Sequence, residues 1–405
     1  MNKKSKGLSH ESFNQGYYER FFIELKKLGR GLRGAVYLCQ HVLDDIQLGQ
    51  YAVKKVAVGD NHEWLLKMLK EVSVLENLSH PNIIDYKHSW IEMHQLGVGP
   101  IVPCLFILMD FANGGNLEEF ILSRKEPQRA SSKSLVLRSQ SPIVTNASIC
   151  LSEDEILSIT RQICLGLAHL HSKGIIHRDL KPSNLLLHYR KGDSFPTILL
   201  SDFGECEDLN TSITRDRTGA TGTLEFMAPE LLSLDNQSHY FQTFSQQSDM
   251  WSLGMVIYFI CYQSLPFKSK ENEKIIDEII NLNGIKPPRD RRIPFVCKTL
   301  ISKLLIANAE KRLTIFQVLN MLENQSSSEV KDYFPQISQI AQTALFSFPL
   351  ITGYFSCYPN SLKIGVTLFI FITSILMAKS RIGLVLLSFV VVLANNFTDL
   401  CNKTS

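Results

Sequence analysis

Two stretches of this chain hold side chains whose types and spacing suit one reaction. In His177-Arg178-Asp179-Leu180-Lys181-Pro182-Ser183-Asn184 a proton-accepting carboxylate, a cation and a neutral amide follow one another closely. Asp202, opening Asp202-Phe203-Gly204, adds a second carboxylate eighteen residues after Asn184. Amide and carboxylate oxygens are hard ligands that suit Mg²⁺. The ordered set is suited to moving a phosphoryl group from a nucleotide to a hydroxyl, where positioning and charge neutralisation matter more than covalent chemistry.

Such groups need a scaffold that delivers a nucleotide. Leu28-Gly29-Arg30-Gly31-Leu32-Arg33-Gly34-Ala35-Val36 reads as a glycine-rich turn between two strands, where backbone can approach phosphates closely. Taken alone it is equally an ordinary hairpin turn. The strand-like Ala35-Val36-Tyr37-Leu38 after it disfavours a dinucleotide fold, whose glycines open a helix. In Tyr51-Ala52-Val53-Lys54-Lys55-Val56 strand alternation puts Ala52 and Lys54 on one face, Val53 and Lys55 on the other. The small Ala52 leaves room for a base, so Lys54 is expected in the site and Lys55 in solvent. Leu65, Met68, Leu69, Val72 and Leu75 have a helical period, with Glu71 beside the stripe; an isolated glutamate there reads as solvated. Strands are expected around Ile83 to Met93 and Cys104 to Met109.

Composition sets the outer bounds. The 405 residues exceed one small core and predict two lobes plus appendages. A formal charge of +3 gives no reason to expect nucleic acid as a partner. The 9 Cys fall in no Cys-x-x-Cys pair or zinc-spaced cluster and read as reduced cytosolic thiols. No apolar run follows Met1, and Asn2 stands where N-myristoylation needs glycine, so neither a secretory signal nor that acyl anchor is expected.

In order and spacing these pieces resemble the eukaryotic protein kinase superfamily, from about Tyr17 to Leu322. Gly29, Gly31, Gly34 and Val36, with Arg30 between them, match its glycine-rich loop. Ala52 and Lys54 match its strand-lysine motif, and Glu71 falls where the family places a helix glutamate that pairs with that lysine. Met109 resembles the gatekeeper, and Asp110 to Asn113, including Ala112, the hinge that holds adenine. Ala228-Pro229-Glu230 resembles the close of the activation segment. Asp249-Met250-Trp251-Ser252-Leu253-Gly254 resembles the central helix of the second lobe, and Arg312 the buried partner of Glu230.

The resemblance implies an α+β, bilobal protein-kinase fold: a polar tail at 1–16, a β-rich N-lobe at 17–109 and an α-helical C-lobe at 110–324. It implies that Asp179 accepts the proton of the acceptor hydroxyl and Lys181 steadies the transferring group. Asn184 and Asp202 would hold Mg²⁺, and Lys54, steered by Glu71, would grip the phosphates of ATP. Lys181 goes with serine/threonine specificity, and the Ala-Pro-Glu closure with protein substrates. Arg178, directly before the base, implies a contact to an activation-loop phosphate, with Thr218 the candidate site; the bland reading of these threonines is loop hydroxyls. Thr223 resembles a threonine that bonds Asp179 and Lys181, and His177 reads as a scaffold hydrogen-bonder. Asp85-Tyr86-Lys87-His88-Ser89-Trp90-Ile91-Glu92 and the run Phe106 to Leu117 are similar to the IKS-type serine/threonine kinases. Trp90-Ile91-Glu92 also resembles kinases of translation initiation factor 2, which carry a far longer insertion.

Two segments fall outside that pattern. Residues 124–150 read as a basic, serine-rich insertion, disordered by default or docking to acidic partners or anionic lipid. After a polar linker at 325–344, residues 345–405 turn apolar, with uncharged runs at 364–378 and 382–394. As helices these would be about 22 and 20 Å long, short of the ~30 Å hydrocarbon core. They read as a shallow hairpin or as parts of longer tilted spans; a helix pair packed on the second lobe is the soluble alternative. Membrane association is expected, with lipid a partner and the catalytic lobes facing the cytoplasm. Three functions compete: an active membrane-anchored kinase, a pseudokinase scaffold, and a membrane-shaping protein with a secondary kinase domain. The presence of Lys54, Asp179, Asn184 and Asp202 disfavours the second.

Overall fold

The computed structural model describes residues 8–31, 34–97, 99–124, 151–208, 224–232, 244–269, 271–282 and 293–324. A short helix α1 (Tyr17–Phe21) leads into strands β1 (Phe22–Gly31), β2 (Gly34–Leu43) and β3 (Ile46–Ala57). Helix α2 (His62–Glu76) follows, then β4 (Tyr86–Gln95) and β5 (Ile101–Asp110). The five strands pair antiparallel in the order β1-β2-β3-β5-β4. Asn61 starts α2 by accepting the Trp64 N–H at 3.0 Å, an N-cap that satisfies one of the orphan donors of the first turn. Leu65, Met68, Val72 and Leu75 of α2 are buried, as their period requires.

The strand expected from Ile83 begins three residues later, at Tyr86. Ile83 and Ile84 are held by the second lobe instead: Ile83 bridges Leu200, and the Ile84 N–H donates to the Leu200 carbonyl at 2.9 Å.

Lys55 is not in solvent. Its side chain is 2% exposed and paired with Glu24. The expectation failed because it treated the face opposite the nucleotide as bare. Tyr18 of α1 and Phe22 of β1 roof that face, burying Cys39, Val53, Trp90, Phe106 and Leu108 beneath them. Chain upstream of α1 also packs on the lobe. Phe13 bridges Ile91, and Leu8 and Phe13 join the cluster around Met68 and Val72. Gln15 exchanges two hydrogen bonds with the Met93 backbone, at 2.8 and 3.1 Å, satisfying backbone groups on the edge strand β4.

The second lobe contains α3 (Leu117–Ser123), α4 (Glu153–Ser172), α5 (Gln246–Tyr262), α6 (Asn272–Ile280) and α7 (Phe295–Leu304), and a further helix over 315–324. Short strand pairs join β6 (Ile175–Ile176) to β9 (Glu207–Asp208) and β7 (Leu185–His188) to β8 (Thr197–Leu200). Helix α4 opens on a reciprocal capping box between Ser152 and Glu155. Helix α5 is buried from Ser248 to Tyr262, as a helix apolar on all sides must be. The six described cysteines are all buried. Residues 125–150, Thr218, Thr223 and the apolar runs 364–378 and 382–394 lie outside the described residues. Among the described residues no helix is long and apolar enough to cross a membrane.

The attachment of α1 rests on one buried acid. Glu92, 2% exposed, accepts the N–H groups of Gly16 and Tyr18 at 3.1 and 2.7 Å and the Trp90 indole N–H at 2.6 Å. Hydrogen bonds to a buried charge are each worth roughly 1.5–3 kcal/mol. Glu92→Ala is therefore expected to cost about 3 kcal/mol in urea unfolding; an unchanged midpoint would show that α1 contributes nothing to the lobe.

Candidate active site

The catalytic loop follows β6 and is fixed from below by α5. Asp249, with 1% of its side chain exposed, accepts the backbone N–H groups of His177 and Arg178 at 2.8 and 2.9 Å and bonds His171 Nε2 at 2.9 Å. Burial alone would raise its carboxyl pKa; the His171 bond and the nearby His171 and His177 outweigh that and hold it below the ordinary value. These bonds support Arg178 at φ 69, a left-handed conformation that costs a non-glycine residue energy. The His177 ring packs 5.4 Å from Phe203, but its nitrogens make no hydrogen bond among the described residues. His177 therefore acts as scaffold through its backbone hydrogen bonds and the packing of its ring.

Asp179 projects from this loop into a cluster of its own motif. Lys181 Nζ lies 3.0 and 2.8 Å from its two carboxylate oxygens. Asn184 Nδ2 donates to the Asp179 carbonyl at 2.8 Å and to Oδ2 at 2.9 Å. That orientation leaves Asn184 Oδ1 as the atom to present to a cation. The backbone of Asn184 is tied to the next motif, its carbonyl accepting both the N–H and hydroxyl of Ser201 at 3.0 and 2.9 Å.

Asp202 follows directly, at φ 60, with Phe203 buried behind it. Lys54 Nζ reaches Asp202 Oδ1 at 3.2 Å across the cleft. About half of the Asp202 side chain is accessible, 52%, against 13% for Lys54. The Lys54 ammonium is the main reason its carboxyl is held below the usual range, against burial that would raise it. Among the described residues no cluster of three His, Cys, Asp or Glu side chains forms a metal site. The Asp202 carboxylate and the Asn184 amide oxygen are hard donors of the kind that suit Mg²⁺, an ion that keeps waters and takes other ligands from phosphate.

Lys54 links these groups to the first lobe, where the other residues named from the sequence lie. Gly29, Arg30 and Gly31 lie in β1, and Gly34 and Val36 open β2. Val36 sits opposite Lys54, and Ala52 opposite Met109, so all four face the same side of the sheet. Gly34 is required: a Cβ there would lie 2.0 Å from the Lys55 carbonyl oxygen. Glu71 lies in α2; its side chain is outside the described residues. From Met109 the chain crosses through Asp110 and Ala112. The Asn113 amide then bonds both backbone groups of Tyr189 at 2.8 and 2.9 Å.

On the substrate side, Arg178 lies 3.7 Å over the Phe244 ring, beside a hollow that Asp179, Phe226 and Met227 also line. Glu230 is clamped by Arg312 through two bonds of 2.7 Å. Sequence reasoning gave Asp249 no separate role and missed Lys87, which pairs with Asp85 and the hinge residue Asp110 at 2.6 and 3.1 Å. A signal for Asp249 was present: an acid leading into the apolar run Met250 to Tyr262 needs buried partners.

A two-lobed fold with this cleft defines a protein kinase domain. The protein kinase domain family matches residues 22–322, and the chain belongs to that family. It is 37% identical to the probable serine/threonine-protein kinase iksA of Dictyostelium discoideum over 80% of this chain and 34% of the relative. It is 28% identical to the serine/threonine-protein kinase Nek1 of Mus musculus, over 74% of this chain and 21% of that one. With nekl-2 of Caenorhabditis elegans, also a serine/threonine-protein kinase, identity is 30% over 74% and 73%. The chain thus spans about a third of the first relative and a fifth of the second.

The buried Asp249 gives a pH signature. Its folded pKa lies below the ordinary 3.8, so its contribution to stability is full above about pH 5 and fades as pH falls through and below the ordinary carboxylate range. Asp249→Asn is expected to lose at least about 2 kcal/mol at pH 7, with the gap from wild type narrowing in acid. A gap constant from pH 7 to 3 in denaturant titrations would contradict this.

Proposed function

We propose that the chain is an active serine/threonine protein kinase, transferring the γ-phosphoryl group of ATP to serine or threonine hydroxyls of proteins. The observation that carries this reading is the coupled pair of contacts Lys181–Asp179 and Lys54–Asp202, at 2.8 and 3.2 Å. Each pairs a lysine with an acid, which supports giving the lysines to phosphate and the two acids different tasks.

Asp179 orients the acceptor hydroxyl and takes its proton as the oxygen attacks phosphorus. Lys181, already within hydrogen-bond reach of Asp179, bears on the phosphoryl group passing between them. Lys54 holds the non-transferred phosphates, and the backbone of Gly29, Gly31 and Gly34 closes over them. Met109 and the hinge from Asp110 to Ala112 bound the adenine side. Asn184 Oδ1 and the Asp202 carboxylate are the groups that would hold Mg²⁺, which when bound offsets the charge of the nucleotide phosphates. Arg178 and Thr218 form the proposed regulatory pair. The reading includes no role for nucleic acid.

The proposal extends to a membrane-associated enzyme whose catalytic lobes face the cytoplasm. The uncharged runs 364–378 and 382–394 support it, being more apolar than a surface-packed helix needs. Carbonate extraction of cells expressing the full chain, or a chain ending at Asn324, tests the anchor. Only the full chain is expected in the pellet, and identical soluble behaviour would remove this part. For the chemistry, Asp179→Ala and Asp202→Ala are expected to lower ³²P transfer from ATP to a generic protein acceptor by about 10²- to 10⁴-fold. Equal incorporation by all three proteins would count against catalysis at this site.

A further inference from the structure

Lys55 belongs to none of the groups just given a role, yet it is the most completely buried lysine for which the structure gives an exposure, at 2%. Its ammonium lies 4.0 Å from the Tyr18 ring centroid, 4.7 Å from Tyr37 and 5.7 Å from Phe106. It pairs with Glu24 and lies 3.3 Å from His94 Nε2. A desolvated cation among ring faces is held in place both by the rings and by its acid partner Glu24.

The position of that partner matters. Glu24 lies near the start of β1, just before two register shifts, between Glu24 and Lys26 and between Lys27 and Gly29, on the way to the glycine-rich turn. The far end of the same hairpin rests on the same residue: Gly34 packs so closely on the Lys55 carbonyl that a Cβ would lie 2.0 Å from it. Lys55 therefore contacts the phosphate-covering hairpin at both ends, through its ammonium at Glu24 and its carbonyl at Gly34. Its neighbour in sequence is Lys54, whose side chain enters the cleft on the opposite face of β3.

We propose that Lys55 is a positioning residue for nucleotide binding: by tying Glu24 to β3 it sets the height of the glycine-rich hairpin above Lys54. The inference rests on the kinase reading above. A residue that only stabilised the lobe would affect unfolding and leave nucleotide affinity alone; one that sets the hairpin's height changes the affinity of the folded protein.

The test uses the full-length protein, with MgADP affinity measured by calorimetry and ATP kinetics on dephosphorylated casein. Lys55→Met keeps the aliphatic packing and removes the charge. Glu24→Gln breaks the same pair from the half-exposed side, Glu24 being 41% exposed, and serves if Lys55→Met does not fold. Each is expected to weaken MgADP binding and raise KM for ATP by about tenfold, with kcat at saturating ATP within about twofold. The double variant is expected to bind MgADP about as weakly as the weaker single one, because both break the Lys55–Glu24 pair. Folded variants that bind MgADP as wild type does, whatever their melting temperature, overturn the inference and leave the kinase reading standing. Wild-type protein that binds no MgADP overturns both.

Discussion

The carboxylate of Asp249 is the fixed point beneath the active site. It sits in α5 with almost no solvent contact, and two of its three bonds go to consecutive backbone N–H groups of the catalytic loop, those of His177 and Arg178. A buried charge is tolerable only where hydrogen bonds replace water, so Asp249 and the loop depend on each other. The positive φ of Arg178 is the cost of that arrangement, and it turns the chain so that Asp179 projects into the cleft. Without that fixed point, the contacts of Lys181 and Asn184 with Asp179 would lose their common reference.

From there the constraint passes along backbone rather than side chains. Asn184 is joined to Ser201 through its carbonyl, which sets where Asp202 begins. Leu200, one residue earlier, donates to the Asn82 carbonyl and accepts from Ile84. The loop between α2 and β4 is thereby fixed to the same strand that delivers the second acid. The Asn82 side chain adds a bond to the Ile198 carbonyl at 2.9 Å. Gly166 of α4 allows this approach, since a Cβ there would lie 2.8 Å from the Asn82 carbonyl oxygen. The two lobes are thus joined at the loop behind the cleft as well as at the hinge, leaving the glycine-rich side the less tethered.

How much of this was legible depended on whether a residue's role lies in its own chemistry or in its surroundings. Asp179, Lys181 and Asn184 could be grouped from the sequence because they share one short loop, and its local geometry brings them together. Lys54 was separable from Lys55 by strand alternation, and that division into faces holds in the structure. What alternation cannot supply is what covers the second face. That depended on α1, a five-residue helix too short to carry a periodic signal, and on Glu92, whose burial follows from a contact with residues more than seventy positions earlier. The same limit hid Phe13 and Gln15 inside a tail that composition alone called polar. Lys87 was missed for a related reason, since its acid partner Asp110 lies on a different strand.

The electrostatics of the cleft show why acids and lysines alternate there. Two carboxylates facing a polyanion would repel it if they stood alone. Each is instead matched to a lysine: Asp179 with Lys181 and Asp202 with Lys54. Both lysines are largely enclosed, at 18% and 13% exposure, so much of the cost of ordering their long side chains falls in folding rather than in binding. In the proposed reaction, phosphates entering the cleft would meet cations already placed, leaving one acid for a hydroxyl proton and the other for a divalent ion. Preorganisation of this kind is where electrostatic catalysis gets most of its effect, because the dipoles and charges do not have to rearrange as the bond breaks. Lys54 is carried by β3, whose opposite face is held by the buried Lys55 paired with Glu24.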